Sequence, residues 1–173
     1  AHSQNLSLKE GDWLFYSDAG VYFTPGSSKW RAAERAFLLG NHSTASGATR
    51  RSQQDVLVYL EGEAEMLRTK HDLLRLYGWD GNRTKSQRSQ VSATWVLLRV
   101  SNQSLIFVND WLSACLDQHG RLLADSPSIW GEENPDYRGH RHDQSMLSVL
   151  YREWGFAPAP FSMEGVQHTR DKS

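Results

Sequence analysis

The sequence predicts an α/β fold: a mostly parallel sheet flanked by helices. Three observations carry that expectation. Short apolar runs at Asp12–Tyr16, Val56–Leu60 and Thr94–Leu98 have the length and flanking turn residues of buried strands. Segments with apolar residues at spacings of three and four, the period of a helix stripe, lie between and after them. Strands therefore alternate with helices, the order of βαβ units.

Asp12–Tyr16 is bounded by Gly11 and by the turn Asp18-Ala19-Gly20. From Ser28 to Gly40, Trp30, Ala33 and Phe37 share one helical face, with Gly40 as a stop. Asn41–Gln54 is rich in Ser, Thr, Gly and Arg and reads as an exposed loop. After the strand Val56–Leu60, Thr69-x-x-Asp72 resembles a capping box for a short helix closed by Gly78. Asp80–Ser89 reads as a polar loop before the strand Thr94–Leu98. Ser101 is placed to cap a helix carrying Leu105, Val108, Leu112 and Cys115. Gly120–Gly139, with Pro127 and Pro135, reads mostly as loop. Met146, Leu147, Val149, Leu150 and Trp154 then mark a last helix, and the tail from Ala157 is expected to be extended or frayed.

At 173 residues the chain suits one domain, or most of one. Its formal net charge of -1 gives no basic field for nucleic acid, so none is expected as a partner. No apolar run approaches the roughly 20 residues that span a bilayer, so no membrane segment is expected. Cys115 is the only cysteine, which excludes an intrachain disulfide, and it reads as a small buried hydrophobe. The chain begins at Ala1, as a processed protein or a piece of a longer one would. Asn5, Asn41, Asn82 and Asn102 each open an N-glycosylation acceptor pattern, which points to a glycoprotein of the secretory pathway. The seven Trp suffice for core packing and for a sugar-binding cleft.

His140-Arg141-His142-Asp143-Gln144-Ser145 concentrates the chemistry. Two imidazoles, a guanidinium, a carboxylate and an amide lead straight into the last helix. Unpaired N–H groups and the positive dipole end at a helix start suit a phosphate or a sugar hydroxyl. The same residues also fit a plain loop in which Asp143 is only an N-cap. Asp18 and Gly20 form the second candidate. Ligands of open α/β sheets bind beyond the carboxyl ends of strands. There, Asp18 could hold a divalent cation that neutralises a diphosphate, and Gly20 would let the backbone approach it.

The strand Gly11–Gly20 resembles the "GD-apolar-Y-x-DAG" strand of a group of bacterial, viral and algal glycosyltransferase-like proteins. Thr69-Lys70-His71-Asp72-Leu73 resembles their "TK-x-D" helix start, and Asn109–Leu112 with Cys115 their "WL-x-x-C" helix. Leu123–Pro127, Glu133–Tyr137 and the HRHDQS run agree in order and spacing, so the likeness spans roughly residues 9 to 156. It implies a GT-A-type nucleotide-sugar transferase fold, incomplete at the N-terminus because the first nucleotide-binding units are missing. It implies a partial catalytic domain over 1–156 and a tail over 157–173.

The resemblance further implies transfer of a sugar from a nucleotide-diphosphate donor to a glycan or protein hydroxyl. The Asp-Gln pair suggests retention. Asp143 and Gln144 would be the catalytic pair, while Asp18, Gly20, His140, Arg141 and His142 would hold the donor. Asp18 would also bind Mn²⁺ or Mg²⁺, with a second ligand needed from a histidine near 140–142 or from His168. Glu61-Gly62-Glu63 imitates an acidic metal motif, but family order gives that role to Asp18. Lys70 is expected to be a solvated helix-start lysine. The implied location is the Golgi lumen, or the cytoplasm for a bacterial source. Two rivals from other classes are a non-catalytic carbohydrate-binding domain and a metal-dependent hydrolase built on His140, His142, Asp143 and Asp18.

Overall fold

The computed structural model describes residues 7–18, 21–23, 54–158 and 166–168. Gly20, the expected helix Ser28–Gly40 and nearly all of the expected loop Asn41–Gln54 lie outside the described residues. Strands β1 (Trp13–Ser17), β2 (Val21–Phe23), β3 (Val56–Leu57) and β4 (Leu60–Ala64) precede the short helices α1 (Glu65–Arg68), α2 (His71–Leu76) and α3 (Arg83–Ser86). Then come β5 (Ser89–Val91), β6 (Trp95–Arg99), α4 (Asn102–Leu116), a 3-10 segment (Asp117–Leu123), α5 (His142–Glu153) and β7 (Val166–His168).

All described strand pairings are antiparallel: β1 and β3 flank β6, β4 pairs β5, and β2 pairs β7. The mostly parallel, GT-A-like sheet expected from the sequence is therefore overturned. The reason lies in the connections. A parallel crossover needs a dozen or more residues, usually one long helix. Here α1, α2 and α3 have 4, 6 and 4 residues, too short to carry the chain back along a sheet. The two long helices, α4 and α5, follow one another without a described strand between them.

Local expectations fare unevenly. The single strand Val56–Leu60 is two strands with different partners, β3 on β6 and β4 on β5. Asp80–Ser89 contains α3, whose N-cap Asn82 accepts from the Lys85 N–H. Thr69 does not cap α2: Lys70 holds that position, and the Thr69 hydroxyl turns back to Glu65. Ser101 does cap α4, in a reciprocal box with Ser104. Gly78, at φ 66°, ends α2 in the left-handed conformation that glycine tolerates. β1, expected to be buried, keeps its aromatic side chains substantially exposed at the outer edge of its sheet. Within the expected frayed tail, Val166–His168 pairs with β2.

The core lies where α5 crosses β5 and meets α4. Met146, Leu147, Val149 and Tyr151 of α5 are fully buried. Phe107 of α4 meets the Tyr151 ring edge-on at 6.3 Å and the Trp154 ring at 5.6 Å, in the geometry that ring quadrupoles favour. Each fully buried apolar side chain contributes roughly 1.5–3 kcal/mol, so this cluster fixes α5 and hence the position of its first turn.

Candidate functional site

α5 begins at His142, so His142–Ser145 form its first turn and His140 and Arg141 lead into it. Arg141 occupies the N-cap position without a side-chain cap, and Asp143 is a first-turn acid. Consecutive helix-entry residues point in different directions, and the run divides accordingly. His140 faces inward: its Nδ1 accepts from the Lys70 N–H at 3.2 Å and its Nε2–H donates to the Leu122 carbonyl at 2.8 Å. Burial pushes its pKa down to about 4, which leaves it neutral at physiological pH. Ser145 is fully buried and donates to the Arg68 carbonyl at 2.7 Å. Gln144 also turns inward; its Oε1 accepts from the Ala93 N–H at 3.3 Å and its Nε2 donates to Gln90 Oε1 at 2.9 Å.

His142 and Asp143 face outward. His142 sits at φ 44°, a left-handed conformation that costs a non-glycine residue roughly 1–2 kcal/mol. Its Nδ1–H donates to the Leu123 carbonyl at 2.7 Å, which turns Nε2 toward solvent, 3.8 Å from Asp125. Asp143 is exposed; its backbone carbonyl accepts from Trp111 Nε1 at 3.2 Å, while its carboxylate makes no hydrogen bond among the described residues.

Asp18, 125 residues earlier, is brought to the same place by the β1–β6 pairing. The register sets Ser17 opposite Trp95, and the Asp18 N–H donates to the Thr94 carbonyl at 2.9 Å. The next residue back, Ala93, holds Gln144. Residues 93–94 thus tie the end of β1 to the first turn of α5. Tyr16 Oη donates to Asp18 Oδ1 at 3.0 Å. That bond, then partial burial, then the charges of Asp18 and Asp143 raise the Tyr16 pKa. Tyr16 and the fully buried Tyr59, whose hydroxyl accepts from Ser92 at 2.8 Å, are site neighbours that spacing alone did not reveal.

The remaining candidates are held in place by partners. Arg141 pairs with Glu61 at 3.3 Å and with Glu63 at 3.0 Å, and Glu63 also takes Arg68 and Arg138. The Glu61–Glu63 pair is therefore spent on arginines. Lys70, expected to be solvated, is 1% exposed; its Nζ reaches Ser126 Oγ at 3.1 Å. Asp72 accepts from Arg121 and from the Ile129 and Trp130 N–H groups, so the "TK-x-D" block anchors the segment 121–130. Cys115 is half-buried rather than fully buried, and desolvation, with the Asp143 charge second, pushes its thiol up to about 11.

Beneath the site lies a polar network that the sequence did not announce. Glu65 is fully buried and accepts from Thr69 Oγ1 at 2.8 Å, from Gln90 Nε2 at 3.4 Å and from the Ser148 hydroxyl. Desolvation outweighs these donors and raises its pKa to about 7. Gln90 also donates to Ser145 at 3.1 Å, linking Glu65 to the motif from below. The one sequence signal was Ser145 and Ser148, two hydroxyls three residues apart within an apolar helix stripe.

Among the described residues, no three His, Cys, Asp or Glu side chains are placed to hold a metal ion. Gly20 and the side chain of His168 lie outside what is described. No described helix is long and apolar enough to cross a membrane. Comparison with family models, curated proteins and solved structures finds no match to the chain.

Proposed function

We propose that the chain is a glycosyltransferase component that moves a sugar from a nucleotide-diphosphate donor to a hydroxyl acceptor, with the reacting carbon between Asp18 and Asp143. The observation that carries this reading is their convergence: two motifs 125 residues apart meet through Thr94 and Ala93, and both carboxylates act on Tyr16. Such a pair can hydrogen-bond sugar hydroxyls and stabilise an oxocarbenium-like transition state. Gln144, with both amide ends occupied, positions Asp143 rather than touching substrate. His142 takes the donor-side role. Its outward Nε2, at the positive end of α5, faces the place where charge would develop on the departing diphosphate. His140 and Arg141, the other expected donor residues, support that turn from within and from the flank.

Among the described residues no three His, Cys, Asp or Glu side chains converge, so no step is routed through a metal; Asp18 would be the carboxylate that holds a cation carried by the donor. The test is nucleoside-diphosphate release and acceptor glycosylation across a panel of nucleotide sugars. Asp143→Asn should lower transfer at least about 100-fold with an unchanged melting temperature, as expected when a group acting in the transition state is lost. Full activity in that variant would sink the assignment. Donor consumption with water alone as acceptor would point to a hydrolase, and saturable sugar binding without turnover to a binding domain.

A further inference from the structure

The WL-x-x-C block, which the proposed reaction leaves unused, lands beside Asp143. Trp111, on α4, donates its indole N–H to the Asp143 carbonyl at 3.2 Å. Cys115, one turn further along the same face of α4, feels the Asp143 charge. Trp111 packs partly against the core, yet it stays only half-buried. Trp79 and Trp95, by contrast, are fully buried, and Trp154 is packed against Phe107 and Phe156. Tyr16 supplies a second ring at the same place. It stands two residues before Asp18 in extended chain, so the two side chains share a face. Its hydroxyl is fixed on Asp18 Oδ1, 47% of the residue stays exposed, and the Asp143 charge acts on it as well. Two rings with their polar tips held thus flank two outward carboxylates, Tyr16 beside Asp18 and Trp111 beside Asp143. With the tips occupied, what each ring offers a ligand is its apolar face.

We infer that Trp111 and Tyr16 form a platform for the apolar face of a pyranose ring, which makes the hydroxyl acceptor a glycan. A sugar ring shows C–H groups on its faces and hydroxyls at its edge. The aromatic faces match the first, and the carboxylates of Asp18 and Asp143 accept from the second. A serine or threonine hydroxyl of a protein brings no ring to cover the indole, and an anionic acceptor is opposed by both carboxylates. The ring belongs to the acceptor because His142, the donor-side residue, turns to the segment 123–125, a different flank of the turn from α4. Its assignment to the acceptor rests on the transferase reading; the ring contact does not.

The test is a titration of the whole ¹⁵N-labelled chain with neutral oligosaccharides: maltotriose, cellotriose, xylotriose and chitotriose, each with and without uridine or guanosine diphosphate. At least one should shift the Trp111 indole N–H signal saturably. Affinities of the variants are read from the backbone amides of α4. Trp111→Leu and Tyr16→Leu should each weaken binding about tenfold, the scale of a lost aromatic contact. Tyr16 lies on an exposed edge strand, so Tyr16→Leu should fold even if Trp111→Leu does not. Trp111→Phe keeps a ring but loses the bond to the Asp143 carbonyl, and should bind within about threefold of wild type, which a merely structural role of that bond would not allow. No saturable shift with any sugar under either condition, unchanged affinity in Tyr16→Leu, or a Trp111→Phe variant as weak as Trp111→Leu would each overturn the platform. Glycan binding without nucleoside-diphosphate release from any nucleotide sugar would keep the platform and remove the transferase reading; release without glycan binding would do the reverse.

Discussion

Glu63 and Glu65 stand two residues apart in the chain, and the protein uses them in opposite ways. Glu63, on β4, faces three arginines at the surface, and hydrogen bonding from Arg68, opposed by desolvation and helped by the guanidinium charges, lowers its pKa. Glu65, at the start of α1, is sealed inside with hydroxyls and an amide, and desolvation raises its pKa to about 7. Both grip the same motif helix. Glu63 does so through Arg141, and Glu65 through Ser148 directly and Ser145 by way of Gln90. Identical chemistry thus gives a screened, replaceable tie at the rim and a costly, geometry-defining tie in the core, and burial decides which.

The largest expected effect follows from that contrast. Glu65→Ala leaves the hydroxyls of Ser148 and Thr69 and the Gln90 amide short of an acceptor, and opens a void among fully buried neighbours. We expect a loss of about 3–4 kcal/mol at pH 6, read by urea denaturation. A loss under about 1 kcal/mol would mean that the network is not what holds α5, and the comparison with Glu63 would fail.

The next prediction concerns pH and separates Glu65 from the neutral histidine of the motif. Glu65 has a folded pKa near 7 against an ordinary 4.5, so its stabilising protonated state is fully present below about 4.5 and is lost as pH rises through 7. His140 has a folded pKa near 4 against an ordinary 6.5, so its contribution is present above 6.5 and is lost as pH falls through 4. Between about pH 4.5 and 6.5 the two slopes have opposite sign and similar size, about 1.4 kcal/mol per pH each. The wild-type stability should therefore be nearly flat there. In Glu65→Gln the histidine slope stands alone, and stability should fall by about 2–3 kcal/mol from pH 6.5 to 4.5. Guanidinium denaturation across that range is the measurement; parallel profiles for wild type and variant would remove the titration of Glu65 from the account.

The contrast also explains what could be read from the sequence. α4 and α5 were legible because long apolar periodicity and the Ser101 cap are local signals that packing reinforces. Sheet direction was not legible: an apolar run looks the same in a parallel and an antiparallel ladder, and α1 and α3 are too short to announce themselves, although α2 was expected before Gly78. β4 was missed because Glu61-Gly62-Glu63 imitates an acidic metal motif, yet its acids are matched by Arg68, Arg138 and Arg141. Buried polar residues such as Glu65, Lys70, Asp72 and Gln90 imitate surface residues in one dimension, because their partners lie tens of residues away. Within HRHDQS the residue types marked the entrance of α5. Which of them face inward depends on where the helix begins; the bonds of His140 to the Leu122 carbonyl and of His142 to the Leu123 carbonyl hold that start at His142.

The smallest expected effect lies at the rim. Glu63→Gln removes the central carboxylate from Arg68, Arg138 and Arg141, but Arg141 keeps Glu61 at 3.3 Å. All three guanidiniums reach solvent, so none is left as a buried, uncompensated charge. The cost should be about 0.5–1 kcal/mol at low ionic strength and should shrink toward zero near 0.5 M salt, where the Debye length falls to a few ångströms. Urea denaturation at two salt concentrations reads this directly. A loss above about 2 kcal/mol that persists in high salt would place Glu63 among the geometry-setting residues beside Glu65. Arg141 would then be a second fixed anchor for the turn that presents His142 and Asp143, and the division between rim and core in holding that turn would no longer stand.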